Sequence, residues 1–172
     1  MPTAIILAGP NGAGKTTFAN EWLAARSGRF VFVNADEIAR KLAGPGTVGA
    51  ALDLAAGRAM LAELDRLAGS GRDFMLETTL ATLTHADRID RWRAQGYRVE
   101  LIYLRLASVE ASLARVQRRI ATGGHAIREA DIRRRFDRSL DYLERIYKPI
   151  VDDWQVWASG DGALRMLDWK DR

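Results

Sequence analysis

The sequence predicts an α/β fold of three layers (α/β/α), with a parallel central sheet and helices on both faces. Three observations predict it. Short apolar runs alternate with amphipathic stretches along the whole chain, the pattern of strands joined by helical crossovers. The apolar runs have strand length and none approaches a membrane span. A glycine-rich turn, Gly9-Pro10-Asn11-Gly12-Ala13-Gly14-Lys15-Thr16-Thr17, stands where the first run gives way to the first amphipathic stretch.

Each element follows from its residues. Thr3 to Ala8 reads as a buried parallel strand, and Thr16 to Ala25 as a helix with Phe18, Trp22 and Ala25 at helical spacing. Phe30 to Val33 is a second strand, and Asn34-Ala35-Asp36-Glu37 opens a short helix through Leu42. Gly44-Pro45-Gly46 breaks the chain before an Ala- and Leu-rich helix from Ala50 to Leu67. Asp73 to Glu77 is a third strand, Ala86 to Ala94 a helix, and Tyr97 to Leu104 a fourth strand. Two arginine-bearing helices follow, Ser108 to Ala121 and Glu129 to Tyr147, joined by Gly123-Gly124-His125. Pro149 ends the second, Trp154 to Ala158 is a fifth strand, and Ala163 to Leu167 pairs with it at the edge.

The glycine-rich turn fits G-x-x-x-x-G-K-[ST] from Gly9 to Thr16. Its glycines let backbone N–H groups curl toward phosphate oxygens. Lys15 sets a compact positive charge on the β- and γ-phosphates, and the Thr16 hydroxyl completes a Mg²⁺ shell. The helix that follows turns its positive end to the same anion. The strand before and the helix after raise the motif well above a chance match. The fold class is therefore that of a P-loop NTPase, with ATP and Mg²⁺ as the implied ligands.

At 172 residues the chain is expected to be one domain over 1–172, with 48% hydrophobic and 28% charged residues excluding a disordered or membrane class. The absence of cysteine excludes disulfides and thiolate metal sites. With a start that enters a strand directly, a cytoplasmic location and no membrane contact are expected. Net charge is +4, and 22 of the 26 basic residues are arginines. Nine of these lie between Arg115 and Arg145. Such a cluster suits a polyphosphate, a nucleic acid, or a solvated face laced with ion pairs. The aromatics among these arginines are only Phe136, in an apolar helical stripe, and Tyr142, too few for a row of stacking platforms, which argues against nucleic acid.

Ligands of open α/β sheets sit beyond the carboxyl ends of the strands. Lys15, Asp36, Glu77 and Arg105 all fall there. Asp36 is the candidate general base, since a kinase must take a proton from the attacking hydroxyl; capping of the helix at Glu37 is its competing role. Glu77 is a candidate for Mg²⁺, through water, or for the acceptor, with Thr78 and Thr79 as further acceptor contacts. Arg58 is another acceptor candidate.

Helical phase sorts the arginines. In the first arginine helix Val109, Leu113, Val116 and Ile120 form the expected buried stripe, with Arg115 and Arg119 on its flank. In the second the stripe is Ile132, Phe136, Ser139, Leu140 and Leu143, with Arg135 beside it. Arg119 and Arg135 are thus the candidates to reach a phosphate between the helices. Intrahelical pairing, such as Arg133 with Asp137 or Arg145 with Asp141, is the alternative use of the cluster. His125 reads as a turn residue, and no role is assigned to His85.

G-P-N-G-A-G-K-T-T, V-N-A-D-E-I-A, F-M-L-E-T-T-L, R-V-Q-R-R-I-A-T-G-G-H and R-R-F-D-R-S-L, in this order from about residue 3 to about residue 158, resemble the zeta toxin family. The resemblance is to its short, single-domain members. It implies a kinase-like P-loop fold and phosphoryl transfer from ATP with Mg²⁺ to the 3′-hydroxyl of the amino-sugar in UDP-N-acetylglucosamine. Residue by residue it implies Lys15 and Thr16 at nucleotide and metal, and Asp36 as catalytic base. It puts Glu77 and Thr78 in the acceptor segment, Arg119 and Arg135 on phosphate, and 108–147 as a lid-like helical segment. It also implies a proteinaceous antitoxin partner. The chain departs from the family in lacking the extra segments of longer members, and in carrying Arg128 where short relatives have proline. A kinase for another nucleotide, sugar or antibiotic hydroxyl, and a nucleic-acid-associated ATPase or polynucleotide kinase, are the alternatives.

Overall fold

Thr3–Ala8 (β1) is the buried spine of the sheet, and its side chains alternate between two cores. The computed structural model describes residues 1–26, 28–43, 49–122, 127–160 and 162–171. Along β1, Ala4, Ile6 and Ala8 face one layer while Ile5 and Leu7 face the other. Such double-sided burial is what a continuous apolar run dictates in a parallel sheet.

The elements follow as α1 (Lys15–Ala24), β2 (Val31–Val33), α2 (Ala35–Leu42), α3 (Ala50–Gly69), β3 (Phe74–Thr78), α4 (Ala86–Ala94) and β4 (Arg98–Arg105). Then come α5 (Val109–Ala121), α6 (Glu129–Tyr142), a π-turn (Leu143–Tyr147), α7 (Lys148–Ile150), β5 (Asp153–Ala158) and β6 (Arg165–Trp169). The sheet order is β2-β3-β1-β4-β5-β6, parallel except that β6 runs antiparallel to β5. The α/β fold with a mostly parallel sheet is as expected.

Helices cover both faces. On one, Met60, Leu64 and Leu67 of α3, Ile89 and Trp92 of α4, and Leu143 and Tyr147 of the π-turn pack on the sheet. On the other, Ala19 of α1 and Phe136 of α6 pack on Ile5, Leu7, Met75, Ile102 and Leu104. Phe74 meets Trp92 edge-on, with ring centroids 5.1 Å apart.

Several boundaries move. The second arginine helix is α-helical only to Tyr142 and closes through the π-turn. Ile120, expected in the buried stripe of α5, is 37% exposed, and Ser112 and Val116 are the buried residues there. Ser112, Val116 and Ile120 share one face at four-residue steps, and Ile120, in the last turn of α5, is its exposed end. The breaks at Gly44-Pro45-Gly46 and Gly123-Gly124-His125 lie outside the described residues.

His85, which the sequence left without a role, is buried at the head of α4, and its Nδ1 has no hydrogen-bond partner. Burial, aided by the Arg88 guanidinium, lowers its pKa from 6.5 to about 4. The imidazole is therefore neutral in the fold, while the unfolded chain takes a proton near the ordinary value. Stability must fall as pH drops below 6.5 and level off below about 4. Between pH 7 and 5 this costs about 2 kcal/mol. Urea melts at the two pH values should show that loss in the wild type and a smaller one in His85→Gln; equal losses would contradict it.

Candidate active site

The loop between β1 and α1 takes its shape from positions that only glycine fills. Gly9 has φ +146°, and a Cβ there would overlap the Leu104 carbonyl. Gly12 has φ +77°, and its Cβ would lie 2.9 Å from Arg115 Cβ. Pro10 and Ala13 are buried, Gly14 and Thr17 exposed. Lys15 heads α1 and is buried, its Nζ donating to Gly9 O at 3.0 Å and Pro10 O at 3.2 Å. Burial lowers its pKa; the nearby Glu77 and Asp36 carboxylates oppose that, and the Arg119 guanidinium adds to it. Lys15 is thus a buried cation with one carboxylate, Glu77, at the edge of ion-pair range, and a desolvated ammonium of this kind favours a phosphate.

The sheet order explains what surrounds Lys15. Because β3 lies between β2 and β1, the end of β3 is flanked by the loops that follow both neighbours. Glu77, expected to end the strand, is its last residue but one, in register with Leu7 of β1. Its Oε2 accepts from Thr16 Oγ1 at 2.8 Å and from Asn34 Nδ2 at 2.7 Å, and its Oε1 lies 3.8 Å from Lys15 Nζ. Asn34 also caps α2, its Oδ1 accepting from the N–H of Asp36 at 2.7 Å. Asn34, not Asp36, is therefore the helix cap. Asp36 sits in the exposed first turn, and its carboxylate makes no hydrogen bond or ion pair among the described residues.

The arginines divide. Arg133 pairs with Glu129 at 2.8 Å and with Glu110 at 3.2 Å rather than with Asp137, Arg134 pairs with Asp131 at 2.7 Å, and Arg145 with Asp141 at 3.4 Å. Exposed pairs of this kind contribute little. Arg119 and Arg135 form no ion pair among the described residues; Arg119 acts on Lys15, and Arg135 is half-buried. Arg128 has φ −63°, the value a proline ring imposes, so the departure from the family pattern leaves the backbone suited to either residue.

The segment after β3 is held from beneath. Thr78 Oγ1 accepts from the N–H of Leu80 at 3.1 Å, and Leu80 is fully buried with φ +60°. Ser139 Oγ donates to Thr79 O at 2.6 Å and accepts from Tyr103 OH at 2.7 Å, since the carbonyl can only accept. Tyr147 OH donates to Thr82 O at 2.6 Å. Burial pushes both phenols up to about 12, which keeps them donors. Ser139 lies one turn beyond Arg135 on α6. Arg58 lies on the exposed side of α3 and makes no hydrogen bond or ion pair among the described residues.

The sequence did not single out Asn34, Ser112, Arg115 or Ser159, whose side chains hydrogen-bond Glu77 or the carbonyls of the glycine-rich loop. Ser159 had a signal: it follows β5 at the same carboxyl edge that pointed to the other candidates.

The zeta toxin family profile matches residues 1–157. The chain belongs to the zeta toxin family. An uncharacterized protein of Haemophilus influenzae is 29% identical over 133 residues, 77% of this chain and 91% of that protein. A chain of the PezAT chromosomal toxin–antitoxin system of Streptococcus pneumoniae superposes with TM-score 0.65 at 19% identity, over 98% of this chain and 71% of its own. The AvrRxo1-ORF1:-ORF2 complex with ATP gives TM-score 0.73 at 19% identity, over 98% of this chain and 58% of its own. A chain of the Pnkp1/Rnl/Hen1 RNA repair complex gives 0.68 at 19% identity, over 84% of this chain and 46% of its own. This zeta toxin family member thus spans about half the length of some chains that share its fold. That fold is the one of P-loop kinases.

Proposed function

We propose that this chain is an ATP-dependent kinase that phosphorylates a hydroxyl of a small sugar nucleotide, with UDP-N-acetylglucosamine the leading candidate. The observation that carries the reading is the cluster of Lys15, Thr16 and Glu77 at the mouth of the loop, with the unpaired Asp36 carboxylate beside it. Lys15 binds the β- and γ-phosphates of ATP, which give its buried charge closer anionic partners than the Glu77 carboxylate at 3.8 Å. The acceptor hydroxyl attacks the γ-phosphorus, the bond from that phosphorus to the bridging oxygen breaks, and ADP leaves. The acceptor proton passes to the Asp36 carboxylate. Arg119 and Arg135, carried by the lid-like segment 108–147, offset charge on the moving phosphoryl group, while Glu77, Thr78 and Arg58 border the acceptor.

The donor set fits Mg²⁺. Thr16 and Glu77 offer hard oxygens, and among the described residues no cluster of His, Cys, Asp or Glu forms a cage of its own. Mg²⁺ usually keeps waters and phosphate oxygens in place of such a cage. Thr16 would hold it directly and Glu77 through water; when bound, it neutralises the phosphate oxygens. A protein antitoxin is the expected partner, by analogy with the PezAT system.

Acceptor identity is tested by incubating the protein with Mg-ATP and, separately, UDP-N-acetylglucosamine, other UDP-sugars, free sugars, nucleotides and short oligonucleotides. Mass gain by one phosphoryl group on UDP-N-acetylglucosamine is the expected result. Gain on oligonucleotides alone would replace this reading with a polynucleotide kinase.

A further inference from the structure

Five consecutive carbonyl oxygens of the phosphate loop, Gly9 to Ala13, each face a donor. Lys15 Nζ serves the first two, at 3.0 and 3.2 Å. Ser112 Oγ, fully buried on α5, donates to Asn11 O at 2.6 Å. Arg115 Nη1 donates to Gly12 O at 3.3 Å, and Ser159 Oγ, just past β5, donates to Ala13 O at 2.7 Å. Arg115 also reaches Ser159 Oγ at 3.4 Å and Gly160 O, which ties the two anchoring elements together.

The two sets differ in kind. Those of Lys15 are exchangeable, because its ammonium is the group that meets the phosphates. The other three come from side chains with no phosphate role assigned, so they persist when the ligand arrives. A planar trans peptide points each carbonyl opposite to the next N–H. Holding Asn11 O and Ala13 O outward therefore turns the N–H groups of Gly12 and Gly14 toward the hollow. The N–H of Ala13 is already spent on Pro10 O at 3.2 Å.

We propose that Ser112, Arg115 and Ser159 are positioning residues that preset the phosphate loop by holding its carbonyls outward before the polyphosphate binds. This deepens the nucleotide reading above and rests on it. Arg119 lies one helical turn after Arg115, so the same anchor places it beside Lys15.

The test is calorimetric titration of the full chain with Mg-ATP and, separately, with inorganic tripolyphosphate. Ser112→Ala and Ser159→Ala are each expected to weaken both ligands equally, by about 3- to 10-fold, the worth of one hydrogen bond. Ser159→Thr, which keeps the hydroxyl, should restore affinity. Steady-state rates should show a raised KM for ATP with kcat and acceptor KM moving less, a split that a merely unstable variant would not give. Arg115→Lys should behave like the serine variants, which carry the test if it fails to fold. Unchanged affinity in both serine variants would overturn the proposal. Loss for ATP with tripolyphosphate unaffected would overturn it too, by assigning these side chains to the nucleoside. A wild-type chain that binds neither ligand would instead refute the nucleotide site itself.

Discussion

Lys15→Ala is expected to lower kcat/KM for phosphoryl transfer by at least about 10²–10³, the cost of removing a preorganised donor from developing charge. The full effect should be larger, because Lys15 is a buried cation whose nearest carboxylate oxygen is 3.8 Å away. The phosphate it would meet is the counter-ion that raises its depressed pKa again. The fold should survive, since the variant removes a desolvated charge, the Gly9 carbonyl and the Glu77 carboxylate each lose one partner, and Pro10 O keeps the N–H of Ala13. A coupled ADP assay together with a thermal melt checks both halves. Undiminished turnover would sink the assignment of this loop.

Asp36→Asn is expected to keep ATP affinity and lose about 10²–10⁴ in kcat, the range of general acid–base catalysis. The isosteric amide keeps the turn, because the cap of α2 is made by Asn34 and not by Asp36. Loss of rate therefore reports proton transfer rather than a frayed helix. Nucleotide titration beside single-turnover kinetics separates the two. Preserved kcat would leave Asp36 as a first-turn acid that complements the helix dipole and nothing more.

How much of this was legible in the chain depended on what each residue does. Thr3–Ala8 and Ala86–Ala94 were read to the residue, because a two-sided apolar run and a helix closed by a glycine turn are local signals. Lys15, Thr16 and Glu77 were legible as a motif and a strand end, and the structure brings them within 4 Å. The lateral strand order, which sets Asn34 and Lys15 on either side of Glu77, depends on long-range pairing that no local pattern records. Ser112 and Ser159 were silent for a related reason. Each is a small polar residue whose partner carbonyl lies more than 100 positions away.

The central claim is transfer to an acceptor rather than hydrolysis. It is tested most directly by measuring, in one reaction with Mg-ATP and the acceptor mixture, the ratio of phosphorylated acceptor to ADP. The account predicts one phosphorylated hydroxyl for each ADP released, with both products lost together in Asp36→Asn. ADP accompanied by an equal amount of inorganic phosphate, with every acceptor at its original mass, would contradict it and make the protein an ATPase.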